Sequence, residues 1–250
     1  MHRIPPPAMR PVKTIRIIAL ALLLLAGGWL IGRDGSVERK PLGLFTSLPI
    51  LWNEASDVAG LLKPGIEPHW AKVALQTRGD IVALDRLDEL ASSGLTRLVI
   101  AQPRPLSPEE NVALDNWVKG GGRLLLLADP ALTAESAFSI ADRRRPQAVV
   151  LLSPILTRWG LQLEFDDAQT FGERSVKVMD VAVPVNLPGR FQLAKSNSCR
   201  SWADGLAVSC GIGKGRVIAL ADAAVLDQQD LDGTRSSALD WLLTATFANH

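Results

Sequence analysis

Two aspartates stand directly after strongly apolar runs, Asp129 in LLLLADP and Asp222 in IALADAA. Because open parallel sheets bind ligands beyond the carboxyl ends of their strands, we expect both side chains at that edge. A close pair of carboxyl groups can perform acid–base or glycosidic chemistry. Aspartate also accepts backbone N–H groups as a helix cap or loop organiser. The sequence favours the structural role and leaves an envelope hydrolase using Asp129 and Asp222 as the alternative.

Further polar residues follow the other predicted strands and complete a candidate cleft for a ligand or partner. They are Asn53, Glu54, Gln102 and Arg104. A closed pocket at the same edge would instead indicate a small-ligand sensor, which is a third and weaker alternative.

Histidine is too sparse for a histidine-rich metal site, since the chain has only three, at positions 2, 69 and 250. His69 lies in the sequence EPHW with no serine or cysteine in a recognisable nucleophile setting nearby. This context favours a surface or capping role over that of a general base. We therefore expect no metal and no cofactor.

The elements that must position these residues are clearest between 97 and 128. Arg97 to Ala101 is typical of a buried strand, and Ser107-Pro108-Glu109-Glu110 combines an N-cap, a first-turn proline and a capping box. A helix over 107–119 follows, and Arg123 to Ala128 is another apolar strand. Strand, helix and strand in this order predict a βαβ unit, so the sheet is at least partly parallel.

Weaker patterns predict the remaining elements. Gly213-Lys214-Gly215 indicates a tight turn and not a phosphate loop, since no Ser or Thr follows the lysine. We expect strands at 44–52, 81–84, 161–165, 175–183 and 216–221, and helices at 58–62, 87–91, 153–160 and 239–247.

The two cysteines flank a turn in SCRSWADGLAVSC. Asp204-Gly205 is a favoured two-residue hairpin turn, and counting outward from it places Cys199 opposite Cys210. A hydrogen-bonded antiparallel pair has Cα atoms about 5.5 Å apart, within the range of a disulfide. A disulfide is favoured in an oxidising compartment, and two free cysteines are the alternative.

The N-terminal region predicts a membrane anchor. No charged residue occurs from 17 to 32, and this stretch is slightly short for a spanning helix but long for a signal-peptide core. Trp29 and the lack of a convincing cleavage site favour an uncleaved anchor over a signal peptide. We expect a cytoplasmic basic tail (1–16), a transmembrane anchor (17–32), a linker (33–43) and a periplasmic α/β domain (44–250), all held at the inner membrane.

Charge argues against nucleic-acid binding. The formal net charge is +1, but four of the 27 basic residues precede the apolar run, whereas all 26 acidic residues follow it. The domain is therefore slightly acidic, while a nucleic-acid binder needs a basic face. The one basic cluster, Arg143 to Arg145, is typical of a solvated loop.

Two stretches, LTRLVIAQPRPLSPEENVALDNWVKGGGRLLLLADP and GKGRVIALADAAVL, resemble the class I glutamine-amidotransferase-like fold. More narrowly, they resemble its membrane-associated members described as uncharacterised ABC-type transport-system or gliding-motility accessory proteins, and a family encoded beside MoxR-type ATPases. The resemblance implies a flavodoxin-like α/β fold: a partly parallel sheet, helices on both faces and an added β-rich hairpin region.

Amidotransferases of this fold carry a Cys-His-Glu triad with the cysteine on a sharp strand-to-helix turn. Here the strand ending at Ala101 continues into Gln102-Pro103, and both cysteines lie far downstream. The resemblance therefore implies a degenerate member that is not an enzyme. We expect an accessory or partner-binding domain whose partners are the membrane and the protein subunits of a transport-type or MoxR-associated membrane assembly.

Overall fold

The computed structural model describes residues 39–52, 54, 68–195, 198–227 and 229–248. The predicted tail, the anchor, residues 33–38 of the linker, Asn53 and the predicted helix at 58–62 lie outside these residues. Within the described ranges, no helix is long and apolar enough to cross a membrane.

A largely parallel sheet forms the centre of the described fold. Its seven strands lie in the order β2-β1-β3-β4-β11-β10-β9. The first five run parallel, and β10 is antiparallel to both of its neighbours, β11 and β9. The strands are β1 (Leu42–Thr46), β2 (Ile81–Ala83), β3 (Arg97–Ala101), β4 (Arg123–Leu127), β9 (Cys199–Trp202), β10 (Ala207–Ile212) and β11 (Gly215–Leu220).

Helices cover both faces of this sheet because successive strand residues point to opposite sides. On β3, Val99 packs into one apolar cluster and Ile100 into the other. The helices are α1 (Trp70–Arg78), α2 (Pro108–Lys119), α3 (Ser153–Arg158) and α4 (Thr234–Phe247). Buried residues of α1 and α4 belong to the first cluster, and those of α2 and α3 belong to the second. The mixed α/β class with a largely parallel sheet is confirmed.

Two small antiparallel pairs make the middle of the chain β-rich, as predicted. They pair β5 (Leu161–Glu164) with β8 (Arg190–Leu193), and β6 (Arg174–Val178) with β7 (Val181–Val185). The single strand predicted at 175–183 is wrong, because Met179 has a positive φ of 52° and turns the chain into a hairpin.

Local signals set most boundaries correctly, and the exceptions have physical causes. The Ser107 hydroxyl accepts from Glu110 N, and the Glu110 carboxylate accepts from Ser107 N, so the predicted capping box is formed. The helix predicted at 87–91 is instead a series of turns, in which Leu90 N donates to Leu87 O and Ser92 N donates to Glu89 O, each three residues back. Strand β1 begins at Leu42, inside the predicted linker, since Leu42 is completely buried.

The disulfide between Cys199 and Cys210 is confirmed, and the two residues pair as predicted. The hydrogen-bonded register is wrong: the Cα atoms are 4.1 Å apart, close to the ~4.5 Å of a non-hydrogen-bonded pair. Gly211 N, one pair further out, donates to Ser198 O at 3.3 Å. The cause is Ala203, whose positive φ of 51° adds a third left-handed residue to the turn at Asp204 and Gly205.

Candidate functional site

Strands β3, β4 and β11 are neighbours and end at the same edge of the sheet, which we call the carboxyl edge. The polar residues that follow them are Gln102, Asp129 and Asp222. Their exposed fractions are 0%, 1% and 0%. The structure thus brings three of the six candidate residues to one edge and buries all three.

The Gln102 side chain joins the ends of two strands. Its Nε2 donates to Asp129 O at 3.1 Å and to Gln147 O at 2.7 Å, while its Oε1 accepts from Asp129 N at 3.0 Å. Its backbone has a left-handed φ of 41°, and its carbonyl accepts from Ser47 Oγ at 2.5 Å. Gln102 therefore holds the carboxyl edge together, and its amide is fully used in doing so.

The Asp129 carboxylate closes two loops. Oδ1 accepts from Ala131 N at 2.8 Å, within its own loop, and Oδ2 accepts from Ala223 N at 3.2 Å, in the loop after β11. Burial raises the pKa of Asp129 to about 6, although the two backbone N–H groups act in the opposite direction.

Asp222 has the same arrangement one strand further along. Oδ1 accepts from Ala224 N at 2.6 Å, at the start of a 3₁₀ turn (Ala224–Leu226), and Oδ2 accepts from Asn186 N at 2.9 Å. Burial raises the pKa of Asp222 well above its ordinary value, and the nearby charge of Asp129 raises it further. Each carboxylate thus has both oxygens bonded to backbone N–H groups, which is the geometry of a loop organiser.

The remaining candidates do not join this cluster. Glu54 accepts from Ser136 Oγ at 2.9 Å and from Ala137 N at 2.6 Å. Arg104 forms an ion pair with Glu110 at 2.7 Å, and its guanidinium lies 5.0 Å from the centre of the Phe45 ring. The hydrogen bond from Arg104 lowers the pKa of Glu110 to about 2. Asn53 lies outside the described residues.

His69 caps helix α1, in agreement with the predicted role. Its Nδ1 accepts from Ala71 N at 3.2 Å, and burial lowers its pKa. In the part of the chain that the structure describes, no group of three or more His, Cys, Asp or Glu side chains is arranged to hold a metal ion.

The family model of a domain of unknown function, DUF4350, matches residues 70–240, more than half of the chain. The chain belongs to the DUF4350 family. No curated protein matches the sequence.

Among solved structures, the mmIFT52 N-terminal domain is similar to the chain with a TM-score of 0.51 at 13% identity, covering 84% of this chain and 100% of that one. Exo-beta-1,4-mannosidase Op5Man5 from Opitutaceae bacterium strain TAV5 is similar with a TM-score of 0.48 at 15% identity, and the match covers 86% of this chain and 37% of the mannosidase. Cytoplasmic Protein STM1381 from Salmonella typhimurium LT2 is similar with a TM-score of 0.46 at 11% identity, and the match covers 83% of this chain and 99% of that protein. The first similarity shows a shared fold. This chain spans about a third of the mannosidase.

The DUF4350 region also contains an open cleft of about 580 Å³, which we call the edge cleft. Asn186, whose backbone binds Asp222, is part of its lining. Exposed Phe171 and Leu231 also line the cleft, with exposed fractions of 71% and 89%. The charged lining residues are Glu135, Glu173, Asp227, Asp232 and Arg235. The edge cleft therefore offers apolar and mostly acidic groups to a partner.

Sequence reasoning missed a second concavity of about 480 Å³, which lies on the face of the sheet covered by α4 and only partly within the DUF4350 match. Strand alternation was the signal that could have found part of it, because Arg200 and Trp202 point to one face of β9. We call it the tryptophan groove, and its lining is Val178, Met179, Arg200, Trp202, Ala207, Ser209, Arg216, Ile218, Trp241, Leu242 and Ala245.

Proposed function

We propose that this protein is a non-catalytic, membrane-anchored periplasmic accessory domain that binds partner subunits of a transport-type or MoxR-associated membrane assembly. The observation that carries the proposal is the closed carboxyl edge. Open α/β sheets bind ligands there, but in this chain Gln102, Asp129 and Asp222 are buried and hydrogen-bonded to backbone groups. The residues that a hydrolase would need for chemistry instead hold loops in place, which is the role that the sequence favours for the two aspartates.

Two further features support a membrane-anchored, periplasmic location. The uncharged stretch at 17–32 follows a tail whose charged residues are all basic, a pattern typical of an anchor with a cytoplasmic N-terminus. The Cys199–Cys210 disulfide is suited to an oxidising compartment such as the periplasm. The proposal also uses the resemblance to amidotransferase-like accessory proteins. A domain of that kind without the Cys-His-Glu triad would act by binding a partner.

The edge cleft is the surface we assign to the partner. Exposed Phe171 and Leu231 can enter an apolar site on another protein, because large exposed apolar side chains near a concavity are typical of interaction sites. The acidic groups around them favour a partner segment with basic residues, through charge complementarity. Arg235 is held inside the cleft by Glu173 and by Ala224 O, so it stabilises the cleft wall.

One observation favours the hydrolase alternative. The pKa of Asp129 is raised to about 6, which would suit a general acid, and a second carboxyl group lies near it. Both side chains are closed to solvent, so this alternative requires the loops at the carboxyl edge to open. Asn substitution at Asp129 or Asp222 would abolish hydrolysis of envelope glycans or peptides if the alternative holds, whereas our proposal expects no hydrolysis by the unmodified protein.

Affinity purification of the full chain from membranes, followed by mass spectrometry, tests the proposal. We expect the same membrane-complex subunits with the unmodified protein and with the matched control Ile140→Ser, since Ile140 is 92% exposed and lies outside the cleft lining. The double variant Phe171→Ser/Leu231→Ser should recover them at least fivefold less. Equal recovery by the double variant, or no subunit above an untagged control, would contradict the proposal.

A further inference from the structure

The tryptophan groove is assembled from strand alternation and one helix. Because side chains two apart share a face of a strand, β9, β10 and β11 each direct a pair of residues into it. Register places Arg200 beside Ser209, and Ser209 beside Ile218. Helix α4 and the β6–β7 turn form the other walls. The strand residues involved are Arg200, Trp202, Ala207, Ser209, Arg216 and Ile218.

The described lining of the groove is positively charged. Arg200 and Arg216 are its two charged lining residues, and no acidic side chain in the described ranges lines it. The Nε of Arg216 donates to Ser209 Oγ at 3.3 Å, which orients the guanidinium. Neither arginine forms an ion pair with a described residue. Elsewhere in the fold, by contrast, Arg104 and Arg158 are paired with carboxylates.

The rest of the groove is apolar. Ala207, Ile218 and Leu242 are buried in its floor, while Trp202 and Trp241 are half-buried in its walls. The volume of about 480 Å³ falls in the ~300–1,000 Å³ range of small-molecule pockets, which combine an apolar lining with a few placed polar groups. Tryptophan gives a large rigid apolar surface at low entropic cost.

We infer that the tryptophan groove binds a small amphiphilic anion, a molecule with a carboxylate head on an apolar body. The carboxylate accepts the N–H groups of Arg200 and Arg216, since the planar guanidinium fork matches a carboxylate and can bind it in bidentate fashion. The apolar body lies between Trp202 and Trp241. A cationic amphiphile is repelled by the two arginines, and a small carboxylate without an apolar body gains too little burial.

Photolabelling of the full chain in phosphatidylcholine nanodiscs tests the inference. The probe is an octanoate analogue carrying a diazirine on its chain, and labelled peptides are mapped by mass spectrometry. We expect label on residues 199–218 and 234–248, displaced by excess octanoate but not by acetate or octylamine. The matching diazirine alcohol should label these peptides at least fivefold less, because it lacks the carboxylate.

Three variants make the test specific. Arg200→Gln/Arg216→Gln should lose at least fivefold of the groove label, and Ala245→Trp should lose it by filling the groove. Lys177→Gln, which removes an exposed positive charge outside the groove, should label like the unmodified protein. Circular dichroism checks that each variant is folded. Equal labelling by the alcohol analogue, an unchanged label in the double arginine variant, or label confined to other peptides would overturn the inference.

Discussion

The carboxyl edge and the tryptophan groove use charged residues in opposite ways. At the carboxyl edge, two carboxylates are buried and each accepts two backbone N–H groups. In the groove, two guanidinium groups line an open concavity without an acidic partner in the described ranges. The comparison teaches that position at the end of a strand does not make a residue functional. A side chain is available to a ligand only if its polar atoms are not already hydrogen-bonded to the backbone.

Gln102→Ala should produce the largest loss of stability and would show how much the carboxyl edge depends on side-chain bonds. Truncation leaves Asp129 N and Gln147 O without the partner they have now. Buried unsatisfied groups cost ~1–3 kcal/mol each, so we expect a loss of about 4 kcal/mol. The measurement is urea unfolding of the chain in detergent micelles, followed by tryptophan fluorescence.

Gln102→Gly is the matched control, because it removes the same bonds but tolerates the left-handed φ of 41°. Glycine should therefore be about 1 kcal/mol less destabilising than alanine at this position. If both variants lose less than about 0.5 kcal/mol, the range of ordinary surface substitutions, the bonds of Gln102 do not hold the edge together.

The double variant Cys199→Ser/Cys210→Ser tests the stability of the strands that line the tryptophan groove. The disulfide joins strand β9, at the end of the sheet, to β10 and encloses a sequence separation of 11 residues. Cross-links around loops of this size stabilise by about 3 kcal/mol in the chain-entropy model. Urea unfolding should show that loss, and reduction of the unmodified protein by dithiothreitol should match it. An unchanged midpoint in both cases would mean that β9 holds its place in the groove wall without the cross-link.

The sequence predicted the elements whose signals are local. The capping box at Ser107 and Glu110, the strands at 97–101 and 123–127, and the opposition of Cys199 and Cys210 all depend on residues close in the chain. The parallel arrangement of β3 and β4 then followed from the βαβ order, and it places Gln102 and Asp129 at one edge.

Features that need tertiary packing were left open or missed. Whether Asp129 is an acid or a loop organiser depends on Ala223, 94 residues away, reaching its carboxylate. The segment at 87–91 is attached to a later helix, because the Glu110 carboxylate accepts from Leu87 N. The groove requires three strands, the turn at Met179 and Trp241 of the last helix to meet. Sequence patterns that span only a few residues carry no information about these long-range contacts.

The pH dependence of stability gives a smaller and more selective test of the carboxyl edge. The folded pKa of Asp129 is about 6, against an ordinary value of 3.8. The folded state therefore binds this proton more tightly, and the buried charge destabilises the fold above pH 6. Stability should rise as pH falls from 7 to 4, by about 2 kcal/mol from this group. Urea unfolding at a series of pH values measures the slope.

Two substitutions separate this slope from other titrations. Asp129→Asn should make the slope shallower between pH 4 and 7, and Asp222, whose pKa is also raised by burial, supplies the remainder. Glu110 has a pKa lowered to about 2 by Arg104, so its contribution is lost as pH falls below about 4.5. Glu110→Gln should therefore change how stability depends on pH below about 4.5, and should leave the slope between pH 5 and 7 unchanged. A slope of unchanged steepness in Asp129→Asn would assign the pH dependence to other groups.

The smallest expected effect is the change in stability of Arg200→Gln/Arg216→Gln. Because these arginines form no ion pair with a described residue, their removal costs the fold little, and we expect a change below ~0.5 kcal/mol in urea unfolding. Arg104→Gln provides the contrast, since it removes the partner of the buried Glu110 carboxylate and should destabilise by several times as much. A large loss in the groove variant would mean that its arginines are structural, as the aspartates of the carboxyl edge are. A small loss would leave them available to a ligand, because residues that contribute little to folding are free to be selected for binding.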